Sequence, residues 1–261
     1  MSLAEFLEGV STVIVDEVHQ AKAEVLKNLL TRNLKNAPIR WGLTGTIPKE
    51  KFEFEAIHAA IGPVIGQISA KELQDKGVLS ECHVNIVQLI DTPVHKNYQE
   101  ELKYLVTNDN RIEYLGKLIN KIKDSGNTLI LVDRISAGEK LTKLIDGSSF
   151  VKGDVKLKDR KEAYDEINEG TNHVVIATYG VAAVGINIPR IFNLVLIEPG
   201  KSFVRVIQSI GRGVRKAKDK DFVQIRDLTS TCKIAKRHIT QRKKFYKEAQ
   251  YPFTIEKIEW N

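Results

Sequence analysis

Residues 173–215 read HVVIATYGVAAVGINIPRIFNLVLIEPGKSFVRVIQSIGRGVR. Two apolar, β-branched runs, HVVIAT (173–178) and NLVLIE (193–198), are separated by small residues and followed by a helical segment, SFVRVIQSIGR. Runs this apolar are strands buried on both faces, and their alternation with helical segments is the signature of a parallel α/β sheet.

Working outward, the same alternation continues. TLILV (128–132), SFV and FVQIRDL (222–228) read as further strands. YQEELKYLV, RIEYLGKLINKIK, AGEKLTKLI and LKDRKEAYDEINEG read as helices, with Leu115, Leu118, Ile119 and Ile122 sharing one face. Before this series only STVIV (11–15) and IRWGLTGT (39–46) read as strands, and HVNIVQL (83–89) reads as the crossover between the two halves. The expected organisation is therefore a partial first lobe over residues 1–85 and a nearly complete doubly wound lobe over 86–261. A basic helix over Ser230–Gln250 and a short tail, YPFTIEKIEW, close the second lobe.

Composition narrows the function classes. The chain of 261 residues carries a net charge of +7, and its last quarter holds the excess. From Lys201 onward sixteen Lys/Arg stand against six Asp/Glu, a surplus of ten, so the preceding residues sum to −3. Such a distribution fits a polyanionic partner, most naturally nucleic acid, or else a solvated lysine-rich helix. No apolar run approaches the roughly 18–20 residues that span a bilayer, and the N-terminal MSLAEFLEGV is acidic, unlike a secretory signal. Cys82 and Cys232 are far apart with no CxxC pair, which favours a reducing cytoplasmic setting over a disulfide framework or zinc site. Cys82–His83 offers at most two metal ligands, and strand neighbours point to opposite faces. Trp41 and Trp260 could stack on bases, although core packing is the expectation for Trp41.

Four short stretches carry chemistry. VIVDEVH ends a strand on Asp16 and Glu17, where one acid can hold Mg²⁺ and the other orient a water; a helix-dipole role is the alternative. LTGT, Leu43–Thr46, brackets a glycine with two hydroxyls that can bond a neighbouring loop or form a plain turn. ATYGVAAVGINIP, Ala177–Pro189, follows its strand with small residues that permit close approach of a ligand, and Thr178 can donate to a phosphate; an inert turn competes. In QSIGRGVR, Gln208–Arg215, Arg212 and Arg215 are three apart and would share a helical face. Gly211 and Gly213 flank the first arginine, each costing a helix about 1 kcal/mol, so the stretch suits phosphate binding better than helix stability.

In this order and spacing the stretches resemble the superfamily 2 helicases, over about residues 11–230. DEVH resembles their motif II, LTGT motif III, TLILVDR motif IV, ATYGVAAVGINIP motif V and QSIGRGVR motif VI. The resemblance implies RecA-like lobes, ATP with Mg²⁺ as cofactors, and DNA as partner, branched, single-stranded or in an RNA–DNA hybrid. It implies that Asp16 coordinates Mg²⁺, Glu17 activates the attacking water, and Arg212 and Arg215 reach the γ-phosphate with Gln208 and Gly185 nearby. His19, Thr44 and Thr46 would couple the nucleotide to the strand, while Arg134, Lys152 and Thr178 would contact the nucleic-acid backbone. The implied protein is a monomer working in the cytoplasm without a membrane.

One departure stands out. Such helicases carry a phosphate loop, GxxxxGK[ST], ahead of motif II. The sequence contains no such string; Gly200–Lys201–Ser202 lacks the leading glycine. The expectation is a C-terminal part of a longer helicase, with negligible ATPase activity of its own.

Overall fold

The computed structural model describes residues 3–22, 24–48, 50–153, 157–183 and 188–260. The chain divides into two compact units, Met1–Ile68 and Ser69–Asn261.

In the first unit two short strands, β1 (Thr12–Val15) and β2 (Ile39–Gly42), pair in parallel with Val13 opposite Arg40 and Val15 opposite Gly42. Val13 and Val15 turn inward against a small core of Val18, Ala21, Leu30 and Ala60, helped by Ile57 and Ile61 from the helix Lys51–Ile61. The alternate residues face out: Ile14 is 66% exposed and Trp41 54%. Core packing expected for Trp41 is therefore not what forms, because the described residues cover only one face of this pair.

The second unit is built on one parallel sheet. Its strands are β3 (Glu81–Leu89), β4 (Thr128–Val132), β5 (Ser148–Val151), β6 (Val174–Thr178), β7 (Asn193–Ile197), β8 (Phe222–Ser230) and β9 (Phe253–Ile258), in spatial order β5-β6-β4-β7-β8-β3-β9. Every neighbouring pair is parallel. Successive side chains along a strand face opposite sides, and the two cores follow that rule. Leu129, Leu131, Leu194 and Leu196 join one core, and Ile130, Val132, Val195 and Ile197 the other. The helices Tyr98–Thr107, Asp109–Asn120 and Ile135–Leu144 cover the second face. Phe203–Gly213 and Leu157–Glu169 cover the first. Leu115 and Ile119 are buried as expected, and Leu118 and Ile122 pack at the margin of the same core.

Two expectations are corrected. HVNIVQL is not a crossover but most of β3, which lies inside the sheet with β8 on one side and β9 on the other. The boundary drawn at 85/86 cuts this strand, whereas the chain divides after Ile68 because residues 81–89 pair along their whole length with β8. The tail is the second correction: FTIEKI forms β9, an edge strand whose outward positions are exposed, so its sequence is too polar to announce burial. The basic helix runs Lys233–Glu248.

Candidate nucleotide and nucleic-acid site

In the first unit the chain turns sharply after β1. Glu17 adopts φ 51, an uncommon left-handed conformation for a non-glycine residue, and its backbone N–H donates to Asp16 Oδ1 at 2.8 Å. The turn brings DEVH against LTGT. Leu43 N–H donates to Val15 O and Val18 N–H to Leu43 O, so the two stretches are laced by backbone. The Thr44 hydroxyl sits at the centre: it donates to Thr46 O (3.0 Å), accepts from Thr46 N–H (3.1 Å) and lies 2.9 Å from His19 Nδ1. The Thr44 hydroxyl thus links the His19 ring to the backbone of the LTGT turn. Glu17 Oε2 lies 3.2 Å from His19 Nδ1, and among the described residues this buried oxygen has no hydrogen-bond partner. Thr46 is buried, 2% exposed, and its hydroxyl is likewise without a partner among the described residues.

These residues fit a Mg²⁺–phosphate group in one specific sense. Among the described residues no cluster of three or more His, Cys, Asp or Glu could cage a metal, Cys82–His83 included. Mg²⁺ instead takes one or two carboxylates and completes its shell with phosphate oxygens and water. Asp16 is exposed, and one of its oxygens accepts from the turn.

In the second unit the parallel register gathers candidates at one edge. Thr178 ends β6 opposite Val132 of β4, and Arg134 follows two residues later as the N-cap residue of its helix. Val151 of β5 pairs with Ala177, and Lys152 follows it. Arg134, Lys152 and Thr178 thus stand at the carboxyl ends of three adjacent strands, the edge where open α/β sheets bind ligands. Lys152 is 3.2 Å from Glu139, and Thr178 Oγ1 accepts from Val181 N–H at 3.4 Å.

The segment after β6 and the helix Phe203–Gly213 line one cleft of about 250 Å³, with Tyr179, Gly180, Ser202, Arg205, Gln208 and Arg212 in its wall. Gly213 is a packing glycine, since a Cβ there would come 3.2 Å from Leu194, whereas a Cβ on Gly211 would meet nothing within 4 Å. Gly185 lies outside the described residues. Arg215 is corrected: the helix ends at Gly213, so the two arginines do not share a helical face, and Arg215 forms an antiparallel bridge with Leu79.

Sequence reasoning missed the groups that fix this geometry. Lys220, 1% exposed, donates from Nζ to Pro189 O (3.0 Å), Arg215 O (2.7 Å) and Gly213 O, capping the helix end and holding Arg215's backbone. Burial pulls its pKa down to about 8, against the neighbouring charge of Asp219. KAKDKD reads locally as a solvated charge run, so nothing in it announced this role. Arg205 pairs with Asp133 (2.9 Å) and stacks on Tyr179, 5.2 Å from the ring centre, tying together the loops after β4, β6 and β7. Arg242, counted among the basic residues of the last helix, is fully buried and bidentate on Asp227 (2.7 and 2.8 Å). Arg111 is buried between Asp91 (3.4 Å) and Glu198 (2.8 Å), and burial pushes the Glu198 carboxyl up to about 7 despite Arg111 and Arg242.

Comparison with known proteins agrees with this architecture. Residues 110–217 match the helicase conserved C-terminal domain. Over 253 residues the chain is 25% identical to the ATP-dependent DNA helicase uvsW of Enterobacteria phage T4, covering 92% of this chain and 50% of that protein. The chain therefore spans about half the length of that curated relative. The crystal structure of T4 UvsW superposes with a TM-score of 0.60 at 21% identity, covering 100% of this chain and 56% of that one. The Mycobacterium smegmatis helicase Lhr, solved bound to ssDNA and AMP-PNP, superposes with a TM-score of 0.61 at 16% identity, over 97% of this chain and 33% of that one. The sheet and its flanking helices thus have the fold of the RecA-like C-terminal lobes of those helicases.

Proposed function

We propose that this chain, which carries the helicase conserved C-terminal domain and resembles the superfamily 2 helicases, is the motor portion of an ATP-dependent DNA helicase. The observation that carries the reading is the single cleft in which the small-residue segment after β6 meets Gln208 and Arg212. These two stretches are the most specific part of the resemblance, and they converge at the ligand-binding edge of a parallel sheet.

In this reading Asp16 holds Mg²⁺ and Glu17 orients the attacking water. When bound, the metal neutralises charge developing on the phosphates. Arg212 supplies planar cationic donors to the γ-phosphate, with Gln208 and Gly185 beside the nucleotide. Arg215 has the same role, projected from a bridge rather than from the helix. His19, Thr44 and Thr46 carry the state of the acid pair to the LTGT loop through the Thr44 hydroxyl. Arg134, Lys152 and Thr178 grip the strand backbone. The substrate is branched or single-stranded DNA in phage recombination, repair and replication, handled by a monomer in the host cytoplasm. Without a GxxxxGK[ST] string these 261 residues lack a backbone cradle and lysine for the β/γ-phosphates, so the chain alone turns over ATP negligibly.

A rival reading, a basic module that only binds nucleic acid, draws on the surplus of ten cations after residue 200. The two part on one experiment. A chimera that places a phosphate-loop-bearing RecA-like half-lobe ahead of β1 is expected to show nucleic-acid-stimulated ATPase activity. A folded, DNA-binding chimera with no stimulated turnover would leave only the binding module.

A further inference from the structure

The loop after β7 and the helix Lys233–Glu248 enclose a second cleft, of about 540 Å³, that the motifs do not use. Lys201 and Ser202 stand on one side, Arg237, His238 and Gln241 on the other, and Tyr98 lines it between them. Arg205 also reaches it, and no acidic side chain lines it. The nearby carboxylates are engaged elsewhere. Glu101 accepts the Ile234 and Ala235 amides (3.1 and 2.7 Å) at the start of the helix, Asp133 takes Arg205, and Glu198 takes Arg111. Among the described residues neither Lys201 nor Arg237 makes an ion pair, and both are exposed. The excess positive field is felt inside the cleft: burial first, then Arg242 and Lys201, lower the pKa of His238, whose ring stands edge-on to Tyr98.

The wall is rigid. Gly200 takes φ +76, its carbonyl accepts from Arg242 Nη1 at 2.6 Å, and Arg242 is locked by Asp227, which also accepts from the Tyr246 hydroxyl (2.7 Å). Two unpaired cations carried on a fixed frame and facing one cleft form a site for an anion, which can take charge-assisted hydrogen bonds from both. Position supplies the class of anion. β7 pairs with β4 in parallel, so the loop after it and the loop that carries Arg134 leave the sheet at the same edge from neighbouring strands. Arg205 and Asp133 bridge the two loops. The cleft thus continues the row formed by Lys152, Thr178 and Arg134 along the same sheet edge.

We infer that this cleft is a further phosphate-binding site for the nucleic-acid backbone, with Lys201 and Arg237 as its cationic ligands. The inference rests on the nucleic-acid reading above and extends it beyond residue 217, where the helicase domain match ends.

The test uses the full chain and a fluorescent single-stranded oligodeoxynucleotide, with affinity read by anisotropy across a salt series. Lys201→Ala and Arg237→Ala should each weaken binding several-fold and reduce the slope of log K against log salt by about 1, and the double variant by about 2. Lys201→Arg and Arg237→Lys should restore the slope, while Lys247→Ala, on the same helix but outside the cleft, should leave it unchanged. A wild-type chain that binds DNA with a slope unaltered in the double variant would overturn the site and spare the nucleic-acid reading. A wild-type chain that does not bind DNA would overturn both. Inorganic pyrophosphate, titrated in parallel, separates the sources: binding of pyrophosphate lost in the double variant with DNA affinity intact would assign the cleft to a free phosphate compound and overturn the backbone contact.

Discussion

The two units present similar strand sequences and opposite outcomes. In the second, Ile130 and Leu131 of β4 are both fully buried because helices cover each face of the sheet. In the first, Val13 and Val15 of β1 pack inward while Ile14 between them is 66% exposed. An apolar run therefore encodes a strand that can be buried on both sides; whether it is depends on what the rest of the lobe supplies. The second unit adds a device that the first lacks among its described residues, fully buried and paired arginines beneath the edge where candidate ligands gather.

That contrast makes the sharpest demand on Arg242. Arg242→Ala would strand the Asp227 carboxylate in the core, and the expected cost is about 3–5 kcal/mol in the denaturant-induced unfolding of the second unit. A loss below 1 kcal/mol would show that the buried pair does not organise this unit. Glu198 comes next and gives a pH signature. The folded carboxyl keeps its proton up to about pH 7, whereas the unfolded chain releases it near 4.5. The folded state binds more protons between these values, so this group's stabilisation is full below 4.5 and fades as pH rises through 7, by about 3 kcal/mol at most. Glu198→Gln should flatten urea-unfolding stability across that window, and an unchanged slope would remove Glu198 as its source. Lys220→Met should cost about 1–3 kcal/mol by leaving three carbonyls without their donor, and hydrogen exchange should show the end of the helix Phe203–Gly213 opening first. The smallest effect belongs to the first unit. Thr44→Val should cost about 1 kcal/mol and shift the His19 ring signals in NMR, with the second unit's unfolding transition unmoved.

Sequence carried the sheet strands of the second unit well because burial on both faces leaves apolar runs with no polar interruption, as in TLILV and NLVLI. It failed at the margins. FTIEKI exposes most of its positions as an edge strand and reads as a tail, and HVNIVQL mixes polar residues into an inner strand whose partners lie 141 and 169 residues away. The site was legible where its chemistry is local: DEVH and LTGT meet through His19 and Thr44. Its support was not legible. Arg111, Lys220 and Arg242 sit in segments whose neighbours are ordinary helix or surface residues, and only the fold brings their carboxylates and carbonyls to them. Arg215 shows the limit of spacing arguments: three residues is a shared face only while the helix lasts, and it ends at Gly213.

The measurement that bears most directly on the motor reading is Arg212→Ala in the phosphate-loop chimera, scored for both ATPase activity and DNA affinity. An arginine that serves the γ-phosphate in the transition state contributes about 10³–10⁵ in rate. Turnover should therefore fall by at least about a thousandfold, while affinity for a single-stranded oligonucleotide stays within about twofold and keeps its salt slope. Retained turnover, with affinity and salt slope falling instead, would make Arg212 one more phosphate contact of a binding module and contradict the account.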